Sequence, residues 1–130
     1  MRIVCDTNVL IAALIARGTC HELLESCFVN HTIVVSEFIL AEVKEKLVEK
    51  FKYSLETAEE VDELFRSRME VILLPGPLPS SVSRDPDDDN ILAAALSGDC
   101  ECIITGDKDL LVLERFRNIR IVSPRDFIDE

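Results

Sequence analysis

The sequence predicts an α/β fold, a three-layer α/β/α sandwich with a central, mostly parallel sheet. Three observations carry that expectation. Short β-rich runs alternate with helical patterns along the chain, and those runs are apolar at nearly every position, as strands covered on both faces are. At 130 residues and 48% hydrophobic content, the chain is long enough for one real core. A single domain over residues 1–130 is expected, because no repeat, low-complexity tract or linker interrupts the alternation.

The elements follow in order. "RIVCDT" reads as a buried first strand. "NVLIAALIA" and "CHELLESCFV" read as helices broken at Gly18, and "TIVVS" as the second strand. "EFILAEVKEKLVEKF" and "LETAEEVDELFRSRM" are amphipathic helices, with Ser54 placed to cap the second. "EVILLPG" reads as the third strand, and a proline- and serine-rich loop, "PGPLPSSVSRDP", follows it. Helix "DDDNILAAALSGD", strand "CIITGD", a short helix around Leu110 to Phe116 and strand "IRIVSP" complete the series.

Composition bounds the function less tightly than it first suggests. With 25 acidic against 14 basic residues the net charge is −11, the balance of a soluble acidic protein. A polyanionic partner is not excluded, because divalent ions in an acidic site reverse the local field that a phosphate meets. No apolar stretch reaches the ~20 residues of a membrane span. Asp6 interrupts the first apolar run, which argues against a signal peptide. A cytoplasmic location and no membrane partner are therefore expected. The five cysteines are odd in number and scattered, and with two histidines they lack zinc spacing; they read as small core residues of a reducing compartment.

The acids stand where α/β folds bind ligands, outside the carboxyl ends of the strands. Asp6 closes the first strand, Asp107 and Asp109 follow "CIIT", and Glu42 lies in the helix after the second strand. Asp85, Asp87, Asp88 and Asp89 crowd one helix start. Asp85 before Pro86 has the pattern of an N-cap, and Asp87 suits the positive end of a helix. Asp88 and Asp89 fall at helical spacing from Leu92, Ala95 and Leu96, so at least one leans toward the buried face. No Lys or Arg between Arg84 and Lys108 answers them. Carboxylates crowded this way raise one another's pKa unless a cation joins them, and an oxygen-only set suits Mg²⁺ or Mn²⁺.

Each acid also has a plainer reading. Asp6 could be a polar strand terminus, and Asp107 a turn cap. Glu42 points away from the stripe of Leu40, Val43, Leu47 and Phe51, and it precedes Lys46 by four residues, the order of a surface ion pair. Asn8 is placed either to support Asp6 by hydrogen bonding or to cap the next helix. Thr105 and Gly106 offer a hydroxyl and an unhindered backbone that suit an approaching phosphate.

Together "IVCDTNVLIAAL", "SEFILAEV", "DDDNILAAAL" and "CIITGDKDLL" resemble the PIN domain, the nuclease fold of VapC-type toxins, in the family's order and over essentially the whole chain. The resemblance implies an endoribonuclease that hydrolyses RNA phosphodiester bonds with one or two Mg²⁺ or Mn²⁺ ions, the toxin of a toxin–antitoxin pair. Carried over, the catalytic, metal-binding quartet is Asp6, Glu42, Asp89 and Asp107. The family pattern selects Asp89, whereas helical geometry leaves Asp88 its equal; Asp109 ranks behind Asp107. A small antitoxin protein is implied as a partner, and so is self-association as a dimer, through exposed apolar positions on the paired helices from Ser36 to Met69. Arg17, Lys44, Lys46, Lys50, Arg66, Arg68 and Arg84 are candidates to meet the RNA backbone.

Two other classes compete. A haloacid-dehalogenase-like phosphatase needs an acid two residues after its strand-end aspartate, and here that position is Asn8, an amide that cannot protonate a leaving group. A PIN-like scaffold that binds RNA or protein without cutting would show a broken quartet, and this quartet is intact.

Overall fold

A computed structural model describes residues 1–73 and 86–130, the side chains of 86–88 excepted. In chain order the elements are β1 (Arg2–Cys5), α1 (Thr7–Ile15), α2 (Thr19–Asn30), β2 (Thr32–Ser36), α3 (Glu37–Glu49), α4 (Leu55–Arg68) and β3 (Glu70–Ile72). Then come α5 (Pro86–Ser97), β4 (Cys102–Ile104), α6 (Lys108–Leu111), β5 (Arg115–Phe116), β6 (Ile119–Val122) and α7 (Pro124–Ile128).

The sheet runs in the order β3-β2-β1-β4-β6-β5, parallel throughout except for the β5–β6 hairpin at one edge. Strand order therefore reverses between β1 and β4. The connections through α1–α2 and α3–α4 step one way from β1 and the connection through α5 steps the other. Right-handed crossovers then set α5 on the opposite face from the first four helices, the expected layering. Ile3, Val4, Ile33, Val34, Val35, Ile103 and Ile104 are all buried, which is why their runs are continuously apolar rather than alternating. Leu10, Leu23, Ile39, Leu47, Phe65 and Leu92 close the core from the helices.

The helix starts follow local chemistry. Ser36, Ser54 and Ser123 each accept a backbone N–H three residues ahead, from Ile39, Thr57 and Asp126. All five cysteines are free and four are buried; burial pushes Cys27 up to about 11 and Cys100 up to about 12, so they behave as core residues, as expected. Among the described residues, no helix is long and apolar enough to cross a membrane.

Three sequence expectations need correction or restriction. Arg115–Phe116 is not the end of a helix: α6 stops at Leu111, and the pair forms an edge strand against β6. Helix α7 was not anticipated, although Ser123 followed by Pro124 is a cap followed by proline at the first helical position. The proline- and serine-rich loop, the N-cap expected at Asp85, the dipole role of the Asp87 side chain, the Asp88 side chain as alternative metal ligand and Arg84 as an RNA contact lie outside the described residues.

Candidate active site at the carboxyl edge of the sheet

Sheet register builds the site. Cys5 is paired with Ile104, so the next residues out, Asp6 and Thr105, stand side by side at the carboxyl ends of β1 and β4. The ladder continues one step beyond the strands, with Asp6 N–H donating to the Ile104 carbonyl at 2.9 Å. This is the point where strand order reverses, the place where open α/β sheets bind their ligands.

Asp6 occupies the N-cap position of α1, yet its carboxylate makes no capping bond to the helix. It accepts the Thr105 hydroxyl instead, at 2.7 Å. The same Thr105 oxygen accepts the backbone N–H of Asp107 at 3.0 Å, and the Asp107 carboxylate in turn caps α6 by accepting the Asp109 N–H at 2.8 Å. One fully buried hydroxyl thus ties Asp6 to the loop that carries Asp107. Burial raises the Asp6 pKa above the ordinary carboxylate value, and the Asp107 charge raises it further; the Thr105 hydrogen bond, the Thr7 backbone and the Lys46 ammonium pull it back.

Glu42 reaches the same edge from α3, where its carboxylate accepts the hydroxyl of buried Thr7, the residue after Asp6. Its side chain is half-buried against α1 rather than displayed on an outer face, which corrects the reading from helical spacing. One turn further along α3, Lys46 donates from Nζ to Asn8 Oδ1 at 3.3 Å. Asn8 is thereby assigned differently from both sequence readings: Asp6 is the cap residue, and Thr105 rather than Asn8 holds the Asp6 carboxylate.

Asp89 is half-buried in the first turns of α5. That helix packs on β1, β2 and β4, and its far end is fixed at the opposite edge, where the Gly98 carbonyl accepts Arg2 Nε at 2.7 Å. Its start, and Asp89 with it, therefore belongs to the carboxyl edge. Asp107 is half-buried and Asp109 exposed, so the two candidates of the fourth position differ in setting.

Thr105 was expected to meet a phosphate, but a hydroxyl with no exposed surface and two partners cannot; a Cβ added at Gly106 would meet open space. Several candidate cations are committed elsewhere. Arg66 forks onto Glu37 and Asp62, Arg68 stacks on Phe28, and Lys50 lies over Phe51. Thr7 was missed, although it stands inside the "DTN" motif; its hydrogen bond reaches 35 residues along the chain, beyond any local pattern.

Among the described residues, no group of three or more His, Cys, Asp or Glu side chains is assembled as a metal site. The donor chemistry nevertheless fits a hard divalent ion. The acids at this edge offer oxygen alone, and Asp6 is held oriented at a position where burial and a like charge disfavour its anion until a cation compensates it.

The family profile described as the PIN domain matches residues 2–109. The chain belongs to the PIN domain family. The match takes in all four candidate acids and leaves β5, β6 and α7 beyond it. No curated protein sequence matches the chain. Among solved structures, this PIN domain is similar to a chain in the crystal structure of VapBC2 from Rickettsia felis bound to a DNA fragment from their promoter. That likeness has a TM-score of 0.68 and 18% identity, covering 95% of this chain and 98% of the other. A chain of the DNA-bound VapBC from Salmonella typhimurium is similar over the same shares, 95% and 98%, with a TM-score of 0.64 and 20% identity. At these identities the likeness establishes the fold, a mostly parallel sheet flanked by helices.

Proposed function

We propose that this PIN domain is a metal-dependent endoribonuclease that hydrolyses RNA phosphodiester bonds, acting as the toxin of a toxin–antitoxin pair. One observation carries the reading. Among the described residues, the buried polar ones are Asp6, Thr7, Ser36 and Thr105, and all four stand at the carboxyl ends of β1, β2 and β4. Ser36 caps a helix; Thr105 and Thr7 hold the carboxylates of Asp6 and Glu42 in place through neutral hydroxyls. A fold alone does not assign chemistry. Family membership and this retained acidity together favour a nuclease over a non-cleaving scaffold.

Asp6, Glu42, Asp89 and Asp107 are assigned as the catalytic acids, with Asp88 and Asp109 as the alternatives to the last two. Mg²⁺ or Mn²⁺, held chiefly by Asp6 and Asp89 with Glu42 and Asp107 in support, would supply an acidic water and offset charge developing on the phosphate and the leaving oxygen. Thr105 fixes the orientation of Asp6 Oδ2 before any substrate arrives, and Thr7 does the same for Glu42. Asp6 releases its proton most readily when a cation compensates its burial, so ion binding and proton release are coupled. Gly106 leaves room for the RNA backbone beside Asp107.

The two similar structures are VapBC complexes, which supports a small antitoxin as partner here. The net charge of −11 complements a basic inhibitory segment entering the cleft. Self-association fits the exposed Leu55 and Leu64 on α4. A single domain in the cytoplasm completes the reading.

The direct test is single-stranded RNA incubated with Mn²⁺, with Mg²⁺ and with EDTA. Cleavage in both metals, stopped by EDTA and by Asp6→Asn, is expected. Intact RNA in every lane, from protein that remains folded, would refute the assignment.

A further inference from the structure

The acids explain how an ion is held but leave a second requirement unmet: a domain of net charge −11 must still bring a polyanion to its most acidic edge. Several cations elsewhere are engaged in structural pairs. Arg2 is tied to Glu70 and Gly98, Arg66 to Glu37 and Asp62, Arg120 to Glu130, and Arg125 to Thr19. Lys46 differs from these. It crosses from α3 to α1 and is held at 3.3 Å by Asn8, a neutral side chain that orients an ammonium without cancelling its charge. It is half-buried, it stands one turn from Glu42 on the same helix face, and its field reaches Asp6. An ammonium has three donors and Asn8 takes one.

We propose that Lys46 is a substrate-binding residue, its ammonium aimed by the positioning residue Asn8 at a backbone phosphate of the RNA next to the acid cluster. This rests on the nuclease reading above and names what that site uses to grip its substrate. A point charge on a flexible stem suits a phosphate that must pass through the site, where a bidentate arginine would be met by the surrounding acids. Asn8 removes part of the rotamer freedom that such a contact would otherwise lose. The contact is to phosphate, so it contributes affinity and register but no base preference.

The test compares wild type, Lys46→Gln, Lys46→Arg, Asn8→Ala and Lys44→Gln. Lys44→Gln makes the same change in net charge on the same helix; Lys44, a candidate RNA contact from the sequence, lines the groove between α3 and α4 instead of the acid edge and is withdrawn from that role. Binding of a labelled single-stranded RNA of mixed sequence is read by fluorescence anisotropy in Ca²⁺ over a salt series, with RNA integrity checked on gels; cleavage is read separately in Mn²⁺. Lys46→Gln should weaken binding several-fold and reduce the slope of log affinity against log salt by about 0.7, the value for one phosphate contact on a single strand. In cleavage it should raise KM by a similar factor while kcat stays within about twofold. Lys46→Arg should recover part of the loss, Asn8→Ala should show a weaker version of it, and Lys44→Gln should match wild type. Thermal melting identifies any variant that fails to fold, and Lys46→Arg then carries the comparison through its KM and salt slope against wild type. Equal salt slopes for wild type and Lys46→Gln would overturn the proposal, as would equal losses in Lys46→Gln and Lys44→Gln. In those cases wild-type cleavage still stands; if wild type neither binds nor cuts RNA, the nuclease reading fails as well.

Discussion

The two edges of one sheet handle charge in opposite ways. At the amino edge, Arg2 donates to the Gly98 carbonyl and pairs with Glu70, linking β1 to β3 and to the end of α5; the acid is matched by a base and both are partly exposed. At the carboxyl edge, Asp6 is buried, its nearest acidic influence is another aspartate, and the groups that touch it orient it without cancelling it. Charge that serves folding is paired off, whereas the charge held unpaired at the switch point is, on the function proposed above, kept for a ligand.

Asp6→Asn should break the contrast most severely. Cleavage of single-stranded RNA should fall by orders of magnitude in a quenched-fluorophore assay, while the metal-free protein melts at the same temperature or higher, because a disfavoured anion is gone. The pH dependence follows with a definite sign. Folded Asp6 keeps its proton to a higher pH than unfolded Asp6, so in the window above the unfolded value of about 3.9 the native state binds more protons and stability falls as pH rises through the native pKa. Urea titrations of metal-free protein across that window should show this slope in wild type and its loss in Asp6→Asn.

Thr105→Val is expected to weaken the carboxyl edge by a second route. It leaves a buried carboxylate and the Asp107 N–H without their partner, at a cost of about 1–3 kcal/mol, and it should lower cleavage; Thr105→Ser should restore both. Restored stability without restored cleavage would separate packing from orientation.

The amino edge answers differently. A Cβ on Gly98 would stand 2.6 Å from Val34 Cγ1, a buried and stiff side chain, so Gly98→Ala should cost about 1–3 kcal/mol in urea unfolding. Cleavage per folded molecule should be unchanged. Glu70→Gln should have the smallest effect, under about 1 kcal/mol and vanishing in high salt, since Arg2–Glu70 is a solvent-exposed pair. Loss of turnover in either variant would mean that the edges are not independent.

Legibility in the sequence followed how locally each feature is determined. The strand that places Asp6 is a continuous apolar run ending in an acid, readable without tertiary information. Glu42 was misread because its setting is decided by the packing of α1 on α3, which periodicity within α3 cannot show. Thr105 changed role because its burial arises from parallel neighbours on both sides of β4. The β5–β6 hairpin was hidden for another reason: Arg117 takes the left-handed conformation, φ 56°, where a glycine or asparagine would have announced the turn. Helix α7, by contrast, carried a readable start in Ser123 and Pro124.

Calorimetric titration of Mn²⁺ into metal-free protein tests most directly whether the carboxyl-edge acids form one cation site. Wild type and Glu70→Gln should bind alike, with Asp6→Asn weaker by at least about tenfold, or ~1.4 kcal/mol. Absence of binding at millimolar Mn²⁺, or equal affinity in wild type and Asp6→Asn, would contradict the site.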